Sequence, residues 1–294
     1  SFLLDHQVIV VEQSTLNESV PNLENRSSPN DPIYVIYTSG TTGEPKGAIN
    51  HHRGIVNRFW YMNQTYGCLK TDVILQTSYH YFDAAVWQLF WPLINGARIV
   101  IPSPVMGFEP APLIELIERE KITITDFVPS VLELFLDELS ADKQAADKMR
   151  SLRQVLVGGE TMNPKTISQL QTYCPHLSVT NAYGPAETSI GGIFYEVPNP
   201  VPSSIPIGKP TANVSALILD KYLALLPIGI PGELYIGGVG VGLGFRRAPF
   251  RAICIALTRR DAGLTYLRLE PFAIDTDASP SRWQIGRASC RERV

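Results

Sequence analysis

Cysteine is scarce in this chain: four in 294 residues, at Cys68, Cys174, Cys254 and Cys290, all widely separated. No two share the spacing of a metal-thiolate site or a redox pair, so reduced thiols in a cytosolic, cytoplasmic protein are expected. Long hydrophobic runs are missing too. The nearest, Tyr222 to Phe245, is broken by Glu233 and by repeated glycine and proline. No run of about 18 apolar residues spans a membrane, and no signal peptide opens the chain. Nor is there an excess of positive charge. A net charge of −3 leaves no basic field for nucleic acid. The first residue is Ser rather than Met, which reads as a fragment or a processed chain.

What is present is a hydrophobic content of 45%, enough for a buried core, and a length that suits one large domain or two modest ones. From Ile33 to about Tyr183, short apolar runs alternate with segments of helical period. "IYVIY", "DVILQ", "ARIVI", "ITITDFV", "LRQVLV" and "LSVTNAY" read as strands. "GIVNRFWYMNQ" reads as a helix with Ile55, Val56, Phe59 and Trp60 on one face. "AAVWQLFWPLI", which Pro92 is placed to kink, "PLIELIERE", "SVLELFLDEL" and "PKTISQLQTY" are the other helices. Such alternation predicts an α/β fold with mostly parallel sheets and helices. Ligands in such folds sit beyond the carboxyl ends of strands, where the loops after Tyr37, Val157 and Ala182 fall.

After Gly192 short strands separated by Pro and Gly suggest a small β-rich subdomain over residues 193–245 of the same domain as residues 1–192. Residues 246–294 hold ten Arg and no Lys, whereas residues 1–245 hold seven Arg and eight Lys. That stretch is left unassigned. It reads either as a basic tail or as frameshifted or vector-derived sequence, and the ending "IGRASCRERV" favours the second.

The stretch "YTSGTTGEPKG" follows the first strand. The Walker pattern fails, because Lys46 is followed by Gly47 rather than by Ser or Thr. The physics of a phosphate cradle remains. Gly40 and Gly43 allow backbone N–H groups to turn inward, Thr38, Ser39, Thr41 and Thr42 add hydroxyls, and Lys46 supplies a cation. An ordinary Gly/Thr surface loop is the plainer alternative, which the density of donors in so short a span disfavours.

Together with "FDAAVWQLFWPLINGARIVI", "NAYGPAETSI" and "GELYIGGVGVGLGF", this loop resembles the ordered motifs of the adenylate-forming superfamily. That superfamily comprises acyl-CoA synthetases, luciferases and the adenylation domains of nonribosomal peptide synthetases. The resemblance covers roughly residues 30–245 and implies the large N-terminal domain of such an enzyme. It implies ATP and Mg²⁺ as cofactors, with Thr38 to Gly43, Gly159, Asn181, Tyr183 and Gly184 around the nucleotide. Tyr183 would offer a face to adenine, Lys46 would neutralise phosphate charge, Glu187 would bind the metal and Thr188 would donate to the α-phosphate. Taken alone, Tyr183 reads as a packed core tyrosine and Glu187 as a helix-terminal charge.

Asp83 in "FDAAVW" separates the subfamilies. It is read either as an N-cap or as the partner of a substrate α-ammonium, and the two can coexist. Its resemblance to peptide-synthetase adenylation domains, with Trp87 four residues on, favours the ammonium. By position the resemblance also implies a side-chain pocket. Trp87, Leu156 and Ile190 would be its walls, and Ala84, Gly158, Ala182 and Gly191 would leave room. Asp126 would face a substrate side chain that carries a hydrogen-bond donor. His80 reads as an aromatic spacer, and His51 and His52 as exposed residues or caps of the next helix.

The reaction implied is attack by an amino-acid carboxylate on ATP, followed by transfer to phosphopantetheine on a peptidyl carrier protein, with neighbouring synthetase domains as partners. Relatives extend beyond both ends of this chain, so weak or no turnover of the chain alone is expected. An acyl- or aryl-CoA ligase and a non-catalytic nucleotide-binding module are the alternatives.

Overall fold

The computed structural model describes residue 24 and residues 26–38, 45–102, 109–142, 144–247 and 285–287. Strand β1 (Pro32–Thr38) and strand β2 (Lys46–His51) form an antiparallel pair, with Thr38 opposite Lys46. Helix α1 (His52–Thr65), β3 (Val73–Leu75), α2 (Ala84–Asn95) and β4 (Arg98–Val100) follow. Next come α3 (Pro110–Glu120), β5 (Ile124–Phe127), α4 (Pro129–Ala141), the short α5 (Ala145–Lys148), β6 (Gln154–Gly158), α6 (Pro164–Tyr173) and β7 (Ser178–Tyr183). Strands β8 (Ile193–Val197), β9 (Lys209–Pro210), β10 (Val214–Leu219), β11 (Glu233–Gly238), β12 (Gly244–Arg247) and β13 (Ile285–Arg287) complete the described chain.

Seven strands form the main sheet in the order β4-β3-β5-β6-β7-β8-β9. The first five are mutually parallel, and β8 and β9 close the far edge antiparallel. The period of two in each strand divides its side chains between two cores. Val155 and Val157 join one, with Leu113, Ile117, Phe135, Leu139, Ile167 and Leu170 from α3, α4 and α6. Leu156, between them, joins the other, with Ile55, Phe59, Trp87 and Trp91 from α1 and α2. Helices therefore cover both faces, as an α/β fold requires. Proline opens α3, α4 and α6, where its missing N–H has no helical partner in any case. Helix α2 continues through Pro92 to a left-handed Gly96 at φ 73°. Among the described residues no helix is long and apolar enough to cross a membrane.

Three expectations need correction. First, α1 buries Ile55, Arg58, Phe59 and Met62, while Val56 and Trp60 are exposed. The buried stripe contains a charged residue, so hydrophobic spacing alone placed the face one residue off. Second, a boundary after Gly192 would cut through the main sheet, because β8 and β9 belong to it. Of the strands in that span, β10 and β11 lie with β13 in a second sheet, and β12 joins β1 and β2 in a third. Third, two strands enter the stretch left unassigned. β12 pairs with β2, and β13 pairs with β11. The rest of that stretch, with Cys254 and Cys290, lies outside the described residues.

His51 caps α1: its Nδ1 accepts the Gly54 amide at 2.8 Å. Burial lowers its pKa, so the ring stays neutral and able to accept. A lowered histidine pKa contributes stability above the ordinary histidine range that is lost as pH falls through the folded value. His51→Ala is expected to cost about 1 kcal/mol, the usual worth of a lost cap, at neutral pH. It should cost less in acid. Urea melts at both pH values measure this.

Candidate active site

The site lies where β5, β6 and β7 end, at the edge facing the β1–β2–β12 sheet. Of the phosphate-loop residues, Ser39, Gly40, Thr41, Thr42 and Gly43 lie outside the described residues. The two ends of that loop are described. Thr38 Oγ1 donates to the Lys46 carbonyl at 3.4 Å across the β1–β2 pair. The connection is thus a hairpin between antiparallel strands, with no helix N-terminus following it. That topology is why the Walker spacing fails. Lys46 Nζ stands 5.8 Å from the centroid of the Phe245 ring, within cation–π range.

The segment Tyr183 to Gly191 is built around a buried residue with no obvious motif signal, Asn50 of β2, which has no exposed surface. Its Nδ2 donates to the Ala186 carbonyl at 2.9 Å, and its Oδ1 accepts the Ser189 amide at 3.2 Å. The Gly242 amide donates to the Glu187 carbonyl at 2.7 Å, and the Ser189 hydroxyl to the Gly240 carbonyl at 2.8 Å. Three stretches far apart in sequence thereby lock one short turn. A Cβ on Gly184 would lie 2.2 Å from the Gly191 Cα, so this approach needs glycine. Ser189, Ile190 and Gly191 all have positive φ, at 56°, 69° and 98°. For a β-branched residue such as Ile190 this is strained, and such strain persists only where surroundings over-determine it. Here the Asn50 bonds and the buried packing of Ile190 against the core of Trp87 and Leu156 do so.

Glu187 faces Lys46. Burial raises its carboxyl pKa, its own backbone lowers it, and the Lys46 charge lowers it as well. Asp83 stands at the head of α2 with helical φ and ψ (−64°, −31°) and makes no side-chain cap hydrogen bond. The N-cap reading is therefore not the one seen. Burial lifts Asp83 to about 6. The Ala84 amide opposes this, and the Asp126 and Glu187 carboxylates reinforce it. Three carboxylates thus share one region.

Asp126, on β5, accepts hydrogen bonds from neighbouring side chains. Its Oδ1 lies 2.7 Å from the Thr77 hydroxyl, its Oδ2 accepts from Trp87 Nε1 at 3.2 Å, and Gln88 Nε2 also donates to it. Gln88, fully buried, accepts the Thr77 and Ser78 amides in turn. Side chains of a Trp, a Thr and a Gln thus hold the carboxylate that the resemblance assigns to a substrate donor. Burial still raises it to about 6, against those bonds and the charge of Arg58. Beside it lies a cavity of about 180 Å³ whose lining includes Thr77, Ser78, Tyr79, Phe82, Asp126 and Val131.

Other expected residues divide. Trp87, Leu156 and Ile190 pack in one core, with Ala84 and Ala182 against it, as walls should. Tyr183 packs partly buried against Ile193 and Ile236. Gly159 takes φ 89° just beyond β6. Gly158 serves the sheet rather than free space, because a Cβ there would lie 2.3 Å from the Ala182 carbonyl of β7. Asn181 is buried, and its Nδ2 donates to the Pro206 carbonyl at 3.0 Å. Thr188 is 1% exposed and its hydroxyl donates to the Pro185 carbonyl at 2.9 Å, so that proton is not directed at a phosphate. His80 is exposed and stacks edge-on with Tyr81, as a spacer would.

Comparison with known proteins bears on the family and the fold. The model of the AMP-binding enzyme family matches residues 3–246. Zwittermicin A synthase ZmaJ of Bacillus cereus is 39% identical over 233 residues, covering 78% of this chain and 44% of that protein. Tyrocidine synthase 3 of Brevibacillus parabrevis is 35% identical over 237 residues, covering 80% and 4%. The chain therefore spans less than half the length of these relatives. Among solved structures, the nonribosomal peptide synthetase FmoA3 in its alpha-methyl-L-serine-AMP bound form superposes with a TM-score of 0.69 at 34% identity, covering 76% of this chain and 25% of that one. The Klebsiella oxytoca NpsA N-terminal subdomain, in complex with 3-hydroxybenzoyl-AMSN, gives 0.67 at 27% identity, covering 79% and 56%. With the family's model covering the sheets, the hairpin and the Asn50-locked turn alike, the chain belongs to the AMP-binding enzyme family.

Proposed function

We propose that the chain activates the carboxylate of a free amino acid as its adenylate, for loading onto the phosphopantetheine thiol of a carrier protein among neighbouring synthetase domains. One observation carries the reading. Asp83 is a partly buried carboxylate with no side-chain cap bond, pressed by the charges of Asp126 and Glu187. A buried carboxylate so placed is stabilised by a cation, and a substrate ammonium supplies one. The synthase relatives and the aminoacyl-AMP complex of FmoA3 support the same reading.

In the reaction a substrate carboxylate oxygen bonds to the α-phosphorus of ATP. The bond from that phosphorus to the bridging oxygen breaks, and pyrophosphate leaves with the electron pair. Such transfer depends on positioning and charge stabilisation and needs no protein nucleophile. Asp83 orients the amine, and Lys46 offsets phosphate charge. Tyr183 presents an aromatic face at the end of β7. Among the described residues no cluster of three or more His, Cys, Asp or Glu forms a metal cage. Magnesium is commonly held by one or two carboxylates plus phosphates and waters, so a single Glu187 oxygen donor fits it. When bound, the ion neutralises charge on the phosphates.

The NpsA complex with an aryl compound favours a second reading, an aryl-acid ligase. ATP–pyrophosphate exchange with amino acids and with their desamino counterparts separates the two. Exchange with amino acids alone is expected, falling as pH drops below about 6, where Asp83 takes up a proton. Equal exchange with the desamino acids overturns the amino-acid reading.

A further inference from the structure

The residues assigned to the nucleotide come from two sheets. Thr38 and Lys46 belong to β1 and β2 of the β1–β2–β12 sheet. Tyr183 ends β7, and Glu187 lies in the turn from β7 to β8, both strands of the seven-stranded sheet. A nucleotide held as proposed above spans both, so the placement of one sheet against the other decides how well it is gripped. Strand pairing fixes each sheet internally and says nothing of that second distance. The side chain of Asn50 bridges the gap.

Asn50 sits on β2, four residues after Lys46, with no exposed surface. Its Nδ2 donates to the Ala186 carbonyl at 2.9 Å, and its Oδ1 accepts the Ser189 amide at 3.2 Å, so one amide clasps the backbone on both sides of Glu187. The stretch leading into β12 ties the same two segments. The Gly242 amide donates to the Glu187 carbonyl and the Leu243 amide to the Ile49 carbonyl, each at 2.7 Å. Little room is left for movement. A Cβ on Gly242 would lie 2.9 Å from Asn50 Oδ1, and one on Gly54, in α1, would lie 2.2 Å from the Ser189 hydroxyl oxygen. Asparagine suits this place because it offers one donor and one acceptor without charge. Aspartate would lose the donor, and alanine both.

We propose that Asn50 is a positioning residue for the nucleotide and its metal: it fixes the turn that carries Glu187 against the strand that carries Lys46. It acts through backbone and touches neither metal nor substrate. The nucleotide part rests on the function proposed above; the lock between the sheets does not.

The test reads the two parts separately. Hydrogen exchange followed by mass spectrometry needs no ligand. In Asn50→Ala, residues 184–191 and 240–243 should exchange about tenfold faster than in the parent, with β5 and β6 unchanged. Calorimetry with a non-hydrolysable ATP analogue reads the second part. Partners that orient a metal ligand typically contribute about 10–100-fold in affinity, so Asn50→Ala should weaken the analogue by that factor with Mg²⁺ present and by less without it. Arg153→Ala is the control. Arg153 precedes β6, at the end of the sheet away from the site, and its loss breaks the pair with Asp72. That variant should bind the analogue as the parent does. Should Asn50→Ala not fold, Asn50→Asp keeps the acceptor for the Ser189 amide, loses the donor to Ala186 and is read in the same way. Unchanged exchange in residues 184–191 overturns the lock. Faster exchange with unchanged affinity, an equal loss with and without Mg²⁺, or loss of the fold in both variants overturns the positioning role. A parent that binds no analogue while the exchange rates diverge overturns the nucleotide reading and leaves the lock standing.

Discussion

Replacing Asp83 with alanine should lower amino-acid-dependent exchange by several hundredfold while leaving the protein folded and nucleotide binding intact. The magnitude follows from breaking one side of a buried ion pair, about 3–5 kcal/mol. The loss should fall on KM for the amino acid, because the proposed role of Asp83 is toward the amine rather than the reacting phosphorus. Stability should hold or rise. Asp83 makes no side-chain cap bond to α2, and burial with two neighbouring carboxylates makes its charge unfavourable in the empty site. Asp83→Asn, isosteric but neutral, should be nearly as impaired. Exchange kinetics with a thermal melt on each variant decide the matter. A variant that keeps its KM removes Asp83 from the substrate site.

The largest effect on stability should come from Arg153→Ala. Arg153 grips Asp72 with two nitrogens, Nε at 3.1 Å from Oδ1 and Nη2 at 2.9 Å from Oδ2. The same guanidinium donates to the Tyr66 and Gly67 carbonyls at 2.9 and 3.0 Å. Asp72 is 3% exposed and also accepts the Leu69 amide. One side chain thereby holds the α1–β3 connection against the start of β6. Its removal leaves a buried carboxylate without its cation and two carbonyls without donors, so about 3–5 kcal/mol should be lost in denaturant titration. The pH dependence supplies a second check. Burial pushes the Asp72 pKa up, but the Arg153 hydrogen bond and the Leu69 amide outweigh it and the value is lowered. A lowered carboxyl pKa contributes stability above the ordinary carboxylate range that is lost as pH falls through the folded value. Arg153→Ala should lose most of that acid sensitivity, and an unchanged acid limb would count against the pair.

Much of the fold could be read in the chain because its strands and helices have simple patterns. The run "QVLVG" alternates between two cores, and "PLIELIERE" keeps its apolar residues on one stripe behind an N-terminal proline. The misses share a cause. Polar residues that serve the interior carry no periodic signal. Arg58 on α1, Asn50 on β2 and Gln88 on α2 are all buried, and each looks in sequence like an ordinary surface residue. Asp126 carries a different lesson. The resemblance assigned it a ligand contact, and only the fold shows that Thr77, Trp87 and Gln88 also hydrogen-bond it.

Local chemistry, then, was written in residue order: which stretches would be strands or helices, that a hydroxyl- and glycine-rich loop follows the first strand, and that a carboxylate opens α2. Those features depend on neighbours a few positions apart, so reading along the chain suffices. The charge state of the site depends on distance through space. Asp83 and Asp126 come from the head of α2 and from β5, and only the folded chain gives them the burial that raises both carboxyls. Coulombic energy and desolvation follow separation and solvent access, which only the folded chain determines.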